Sequence, residues 1–316
     1  MTNDKGFTLL ELMLAMILSL IIIFSIYGLY ISTKKASYIH DDITDMHQNV
    51  RTALEFVSRE LRNNYKIISF NSTLDNSSIE FFAIEDSGTV SIPATYINEL
   101  NDLTKSWVSG DWNGHLLSII AGTGRYERGA ISGGTNNTIV DLSKSWSMGQ
   151  WDNYWLVILE GTGKGQVKMI KTTYNNKLKI SSDWEITQIP DSTSVYGIWQ
   201  RIEKTYSKRL KTYASWSSID TTSLYQIITI KGFKRDAQED ELEYKTGTIT
   251  AWYNPLTENT TGFTLEGYDS GDSVTSNPAA IQKIKIMVKA RTADMDQAID
   301  DYHYYTATTT VALRNF

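Results

Sequence analysis

FTLLELMLAMILSLIIIFSIYGLYI, running from Phe7 to Ile31, is the stretch whose reading decides the fold. It is nearly unbroken apolar sequence of about 25 residues, which at ~1.5 Å rise per residue suffices to span ~30 Å of hydrocarbon as a helix. Lys5 precedes it and Lys34 and Lys35 follow it, so flanking charge orients it poorly. A secretory signal has a shorter apolar core closed by a small-residue cleavage site, whereas this run passes directly into a polar helical segment. The one charged residue inside the run is Glu11. A carboxylate held in lipid costs roughly 2.5 to 3.5 kcal/mol unless something neutralises it, so the sequence predicts a partner for Glu11.

The residues at the head of this run, Lys5-Gly6-Phe7-Thr8-Leu9-Leu10-Glu11, closely resemble the processing motif of type IV prepilins and type II secretion pseudopilins. In that family a prepilin peptidase cuts after the glycine and methylates the new N-terminus. The resemblance therefore implies a leader of residues 1–6, cleavage between Gly6 and Phe7, and N-methylation of Phe7. It also implies that Glu11, then the fifth mature residue, meets the N-terminal amine of a neighbouring subunit, which supplies the partner that burial demands.

Working outward, Ile39, Ile43, Met46, Val50, Leu54, Val57 and Leu61 recur at steps of three or four, the signature of one helix face. The sequence predicts a continuous helix with an assembly and membrane half at 7–31 and an amphipathic half at 32–66. Asp41, Asp42, Asp45, Arg51, Glu55, Arg59, Glu60 and Arg62 then form its wet face. Ser78 to Ile84 reads as the first strand of a sheet.

The middle of the chain repeats itself. Leu103-Thr-Lys-Ser-Trp107 matches Leu142-Ser-Lys-Ser-Trp146, Trp112 matches Trp151, and Gly122-Thr-Gly124 matches Gly161-Thr-Gly163, all at about 39 residues. Asn136-Asn137 matches Asn175-Asn176 in the same register, and Trp184 opens a shortened third copy ending at Ser194. Apolar runs meeting Gly-Thr-Gly and Asn-Asn turns are hairpin grammar. We expect residues 101–196 to form an inserted module of two β-repeats packed on each other. Its tryptophans Trp107, Trp112, Trp146, Trp151 and Trp184 either fill its core or present a platform for a glycan or surface.

Strand-like runs return at 224–230, 247–253, 281–288 and 304–313 and are expected to complete the interrupted sheet. The closing Val-Ala-Leu-Arg-Asn315 and the helical Arg51-Thr-Ala-Leu-Glu-Phe-Val-Ser-Arg-Glu-Leu-Arg62 resemble minor pilins of the PilW type and the related pseudopilin J. The fold expected is thus α+β: a long N-terminal helix packed on an antiparallel head built from 67–100 and 197–316, with the repeat module between.

Composition narrows the function. A formal net charge of -6 with dispersed basic residues provides no stripe to neutralise phosphates, which argues against nucleic-acid binding. The absence of cysteine removes disulfides, thiolate zinc sites and cysteine nucleophiles. His40 and His47 lack the companions of a metal site, and Gly161-Thr-Gly-Lys-Gly165 lacks the spacing of a phosphate-binding loop. Two acidic groups, Asp269 with Asp272 and Asp294 with Asp296, Asp300 and Asp301, offer oxygen ligands of the type calcium takes, but neither has complete EF-hand spacing. We expect no cofactor, no committed metal and no enzymatic activity. The partners implied by the resemblance are prepilin peptidase, other pilins through the helix, and the inner membrane, with the head in the periplasm before assembly and in a filament afterwards. A minor pilin is the leading expectation; a secretion pseudopilin or a filament-borne adhesin is the alternative.

Overall fold

Between Leu9 and Arg62 the sequence has no proline and one glycine, Gly28, and the helix α1 (Leu9–Arg62) runs unbroken through 54 residues. The structure, a computed structural model, describes residues 9–92, 98–124, 126–215, 219–247, 253–278 and 280–313. Hydroxyls along α1 are satisfied internally, Ser19, Ser25 and Thr33 each donating to the carbonyl four residues back at 2.7–2.8 Å. Such back-bonding satisfies these three hydroxyls without water. From Met46 onward the helix is docked: Met46, Val50, Ala53, Val57 and Leu61 are buried on one face. Burial of each larger apolar side chain contributes roughly 1.5–3 kcal/mol.

The helix ends at Arg62, a turn earlier than the pattern suggests. Asn64 Nδ2 donates to Leu61 O at 2.6 Å, closing the last turn, and the β-branched and aromatic residues that follow enter a strand, β1 (Asn64–Asn71). The strand over Ser78 to Ile84 is therefore second in the sheet. One residue of the expected wet face is also misplaced by the pattern, since Glu60 is buried.

The remaining strands are β2 (Ser78–Thr89), β3 (Glu99–Asn101), β4 (Leu116–Ala121), β5 (Arg128–Ala130), β6 (Gly133–Thr135), β7 (Thr138–Val140), β8 (Trp155–Glu160), β9 (Val167–Thr173), β10 (Lys177–Ile180), β11 (Val195–Tyr206), β12 (Arg209–Thr212), β13 (Leu224–Asp236), β14 (Glu241–Gly247), β15 (Asn254–Thr257), β16 (Thr260–Tyr268), β17 (Lys283–Arg291) and β18 (Tyr304–Ala312). The first fifteen form one sheet with the central order β1-β2-β13-β4-β11-β8-β9-β10-β7-β6, and the last three form a separate sheet, β16-β17-β18. All these strand pairs are antiparallel. The C-terminal runs at 281–288 and 304–313 thus do not complete the large sheet; with β16 they build a second one against the helix. Residues 248–252 of the expected 247–253 strand lie outside the described residues.

The helix face, Ile79 and Phe81 of β2, Phe233 of β13, Leu242 of β14, and Phe263, Ile284, Ile286 and Val311 of the small sheet share one hydrophobic core. The two repeat copies own two further cores that contain no helix residue. The fold is α+β, with a long N-terminal helix packed on antiparallel sheets.

The copies are nested rather than laid end to end. In the first, Asp102 N donates to Lys208 O and Trp107 N to Ser207 O, both at 2.9 Å, and Trp112 N donates to Thr205 Oγ1 at 3.0 Å. The second repeats this set with Asp141 N on Asn176 O at 2.9 Å, Trp146 N on Asn175 O at 2.5 Å and Trp151 N on Thr173 Oγ1 at 2.9 Å. The first copy is therefore closed by strands that return after residue 200, and the second lies inside its hairpin. Structurally, Asn175-Asn176 corresponds to Ser207-Lys208, not to Asn136-Asn137, which precedes β7. The paired turns obey the same constraint: Gly122 at φ +78° and Gly161 at φ +75° sit where a Cβ would meet Thr222 O at 2.0 Å and Thr193 O at 2.2 Å.

The nesting makes a prediction. Removing 126–196 joins Gly122-Thr-Gly-Arg125 to Gly197-Ile198, reproducing the spacing of Gly161-Thr-Gly-Lys-Gly165-Gln166. The deletion variant is expected to keep a cooperative unfolding transition and the helix content of the full chain, measured by circular dichroism in detergent. Cutting 101–196 instead removes β4 and the last residue of β3 while leaving their partners β13 and β12, and is expected to destroy that transition.

Candidate functional site

Two regions have features beyond ordinary packing: the free half of the helix and the nested copies. The free half presents its apolar side chains outward from Leu9 to Tyr30, with no part of its most apolar window covered by the rest of the protein. A soluble chain rarely exposes a contiguous apolar surface of this extent, and lipid or other helices are what cover one. Gly6 and Phe7 lie outside the described residues. Glu11 stands two residues inside the described start of α1, exposed on the outward surface of that half.

Where the docked half meets the head, an ion-paired trio ties helix to sheet. Lys231 Nζ on β13 lies 2.6 Å from Glu60 Oε2 on α1 and 2.7 Å from Glu85 Oε1 on β2. Burial opposes the ammonium charge, but the two carboxylates outweigh it and hold the Lys231 pKa above its ordinary value. Sequence periodicity missed this group because it marks Glu60 only as a charge on a helix, and the basic residue that would explain its burial lies far along the chain.

The five tryptophans do not form one surface. Trp107 is buried in the first copy's core with Trp112 packed at its edge, and Trp146 and Trp184 are buried in the second with Trp151 beside them. Trp107 Nε1 donates to Asp86 Oδ2 at 2.7 Å. The rings of Trp107 and Trp146 meet Tyr225 and Tyr196 edge-on, each with centroids 6.3 Å apart. Those tyrosines are the second element that sequence comparison missed: Tyr225 Oη donates to Asp102 Oδ2 at 2.7 Å and Tyr196 Oη to Asp141 Oδ2 at 2.8 Å. Burial, and then the adjacent carboxylates, push both phenols far above their usual pKa. Although desolvation opposes it, hydrogen bonds from Thr104 and Tyr225 hold Asp102 below the ordinary carboxylate value. The signal was present, since Asp191-Ser-Thr-Ser-Val-Tyr196 matches Asp220-Thr-Thr-Ser-Leu-Tyr225, but at a spacing other than the one that aligns the tryptophans. What the copies expose instead is a scatter of apolar loop residues, among them Val108, Leu142, Met148 and Ile186.

The acidic groups serve their own turns. Asp269 Oδ1 accepts from Gly271 N and Ser273 N at 2.9 and 3.0 Å, and Asp272 pairs with Lys283 at 2.6 Å. Asp296 accepts from Ala298 N at 2.8 Å and lies 3.0 Å from His303 Nε2, contacts that lower its pKa. Among the described residues, no three His, Cys, Asp or Glu side chains are grouped to hold a metal ion.

Residues 1–27 match the prokaryotic N-terminal methylation motif. No curated protein and no solved structure matches the chain. The motif covers most of the exposed apolar half-helix and the residues before it, and its presence suggests a structural subunit processed by prepilin peptidase rather than an enzyme. This N-terminus supports a place for the chain among the type IV prepilins and pseudopilins.

Proposed function

We propose that the protein is a minor pilin-like subunit, cut between Gly6 and Phe7, methylated on Phe7, held in the inner membrane with its head in the periplasm, and then packed into a filament through its helix. The observation that carries this reading is the coincidence of the methylation motif with a half-helix left wholly uncovered by its own head. In a filament, neighbouring helices would cover that surface, and Glu11 would face a neighbour's N-terminal amine in a medium poor in water. A large head with a nested module suits a subunit used in few copies, at a tip or at initiation, better than the repeating body of a filament.

Mass spectrometry of the mature N-terminus tests the proposal. Cells with active prepilin peptidase should yield a chain beginning at methylated Phe7, and cells without it the uncut chain. An intact Met1 terminus in both would leave a membrane-anchored β-protein with no role in assembly.

The exposed apolar loop residues of the nested copies favour a second reading, a filament-borne binding head for a glycan, surface or secreted substrate. The 126–196 deletion separates the two: normal filaments with attachment lost support the binding head, and absent filaments assign the module to assembly.

A further inference from the structure

The loop between β17 and β18, residues 292–303, folds down along α1 toward the apolar half. Ala293 N and Asp294 N donate to the Asp42 carboxylate at 3.3 and 3.1 Å, and Lys35 Nζ donates to Gln297 Oε1 at 3.4 Å. The loop is closed on itself by Asp296 N on Asp301 O at 2.9 Å and by the Asp296–His303 contact. Two apolar side chains project from it into the open, Met295 at 44 % and Ile299 at 55 % exposure. Its acidic side chains carry the rest of its outward character.

The same level of the helix bears the anchors of a membrane interface. Tyr30 and Tyr38 are exposed, Lys34 Nζ lies 5.6 Å from the centre of the Tyr38 ring, and no charged residue occurs between Glu11 and Lys34. Tyrosine and lysine take this position at the headgroups. From Ile31 to Lys35 the helix rises about 6 Å, and the headgroup layer is about 5–7 Å deep on each side of the hydrocarbon. Gln297, bonded to Lys35, therefore lies at headgroup depth when the helix spans a bilayer.

We propose that this loop is a foot that rests in the headgroup layer of the membrane before assembly, with Met295 and Ile299 seated among the lipids. The inference rests on the reading of residues 7–31 as a membrane span. The lipid it fits is zwitterionic: its ammonium groups complement Asp294, Asp300 and Asp301, and its phosphates complement Lys34 and Lys35 at the same level. The foot fixes the height of the head above the bilayer, and it must be lifted free when the subunit leaves for the filament.

The natural absence of cysteine allows a direct test on the full chain. Single variants Ile299→Cys, Met295→Cys, Phe24→Cys and Met148→Cys, the last in an exposed loop of the second copy, are labelled with an environment-sensitive fluorophore. They are reconstituted in phosphatidylcholine–phosphatidylethanolamine vesicles containing lipids with a nitroxide on the headgroup or in the acyl chain. The expected result is quenching of the 24 label by the chain nitroxide, and quenching of the 295 and 299 labels by the headgroup nitroxide several-fold more strongly than the 148 label. Labels at 295 and 299 quenched no more than at 148, with the 24 label still quenched, overturn the foot alone. A 24 label untouched by the chain nitroxide overturns the membrane span and the foot together.

Discussion

Replacing Lys231 by Ala is expected to lower the stability of the head by about 3–5 kcal/mol, because it takes the buried cation from two carboxylates and leaves Glu60 only the exposed Arg59 at 3.5 Å. The side chains of Lys231, Glu60 and Glu85 are only 11 %, 10 % and 27 % exposed, so water can relieve Glu85 in part but Glu60 hardly at all. Loss of this size is a large share of the 5–15 kcal/mol that hold an ordinary domain together. It should be measured by urea unfolding of the detergent-solubilised chain, followed by tryptophan fluorescence. The double variant Lys231→Met, Glu60→Leu separates charge from packing: it removes the most buried carboxylate together with the lysine and should restore the part of the loss that Glu60 causes, while Glu85 keeps the part that water does not relieve. A drop below about 1 kcal/mol for Lys231→Ala would match an exposed pair and show that the joint is wet.

That joint also marks where the sequence stopped being informative. The helix was legible because its evidence is local: an apolar run of membrane length and then Met46, Val50, Val57 and Leu61 at helical spacing, all four buried in the structure. The burial of Glu60 was not legible, since a charge on a helix becomes a core residue only when a distant strand brings Lys231 to it. Strand existence was readable in part, through alternation in β2, β13, β17 and β18. Sheet membership was not. Nothing in residues 281–313 distinguishes a return to the large sheet from pairing with β16, which itself carries Gly262 and Gly267 and reads weakly as a strand.

The repeat shows the same limit more sharply. Matching tryptophans at one fixed spacing aligned β3 and β4 with β7 and β8 and suggested tandem units. The strands that close each copy follow a different spacing, because everything between Gly124 and Gly197 interrupts the outer copy. A search for a single period therefore sees half of each unit. At the N-terminus the reverse holds, since a methylation motif is a string read by an enzyme and is legible without any fold; the roles of Gly6, Phe7 and Glu11 remain the proposal made above.

Glu11→Ala is expected to abolish most incorporation into filaments while leaving the protein inserted, processed and folded. In the bilayer the Glu11 carboxylate is a burden of roughly 2.5–3.5 kcal/mol, so the alanine variant should enter the membrane at least as well as the wild type. In the filament the balance reverses: truncating one member of a desolvated, hydrogen-bonded charge pair costs about 2–5 kcal/mol, much of it from leaving the partner amine buried alone. At about 1.4 kcal/mol per tenfold, incorporation should fall by more than an order of magnitude. Quantitative mass spectrometry of sheared filaments against membrane fractions measures this ratio, and a methylated Phe7 terminus on the variant confirms that processing is intact. Glu11→Gln sharpens the test, because it keeps a hydrogen-bond acceptor but not the charge. Recovery with Gln would assign the effect to hydrogen bonding, a loss equal to that of Ala would assign it to charge, and normal incorporation of Ala would leave helix packing alone to drive assembly.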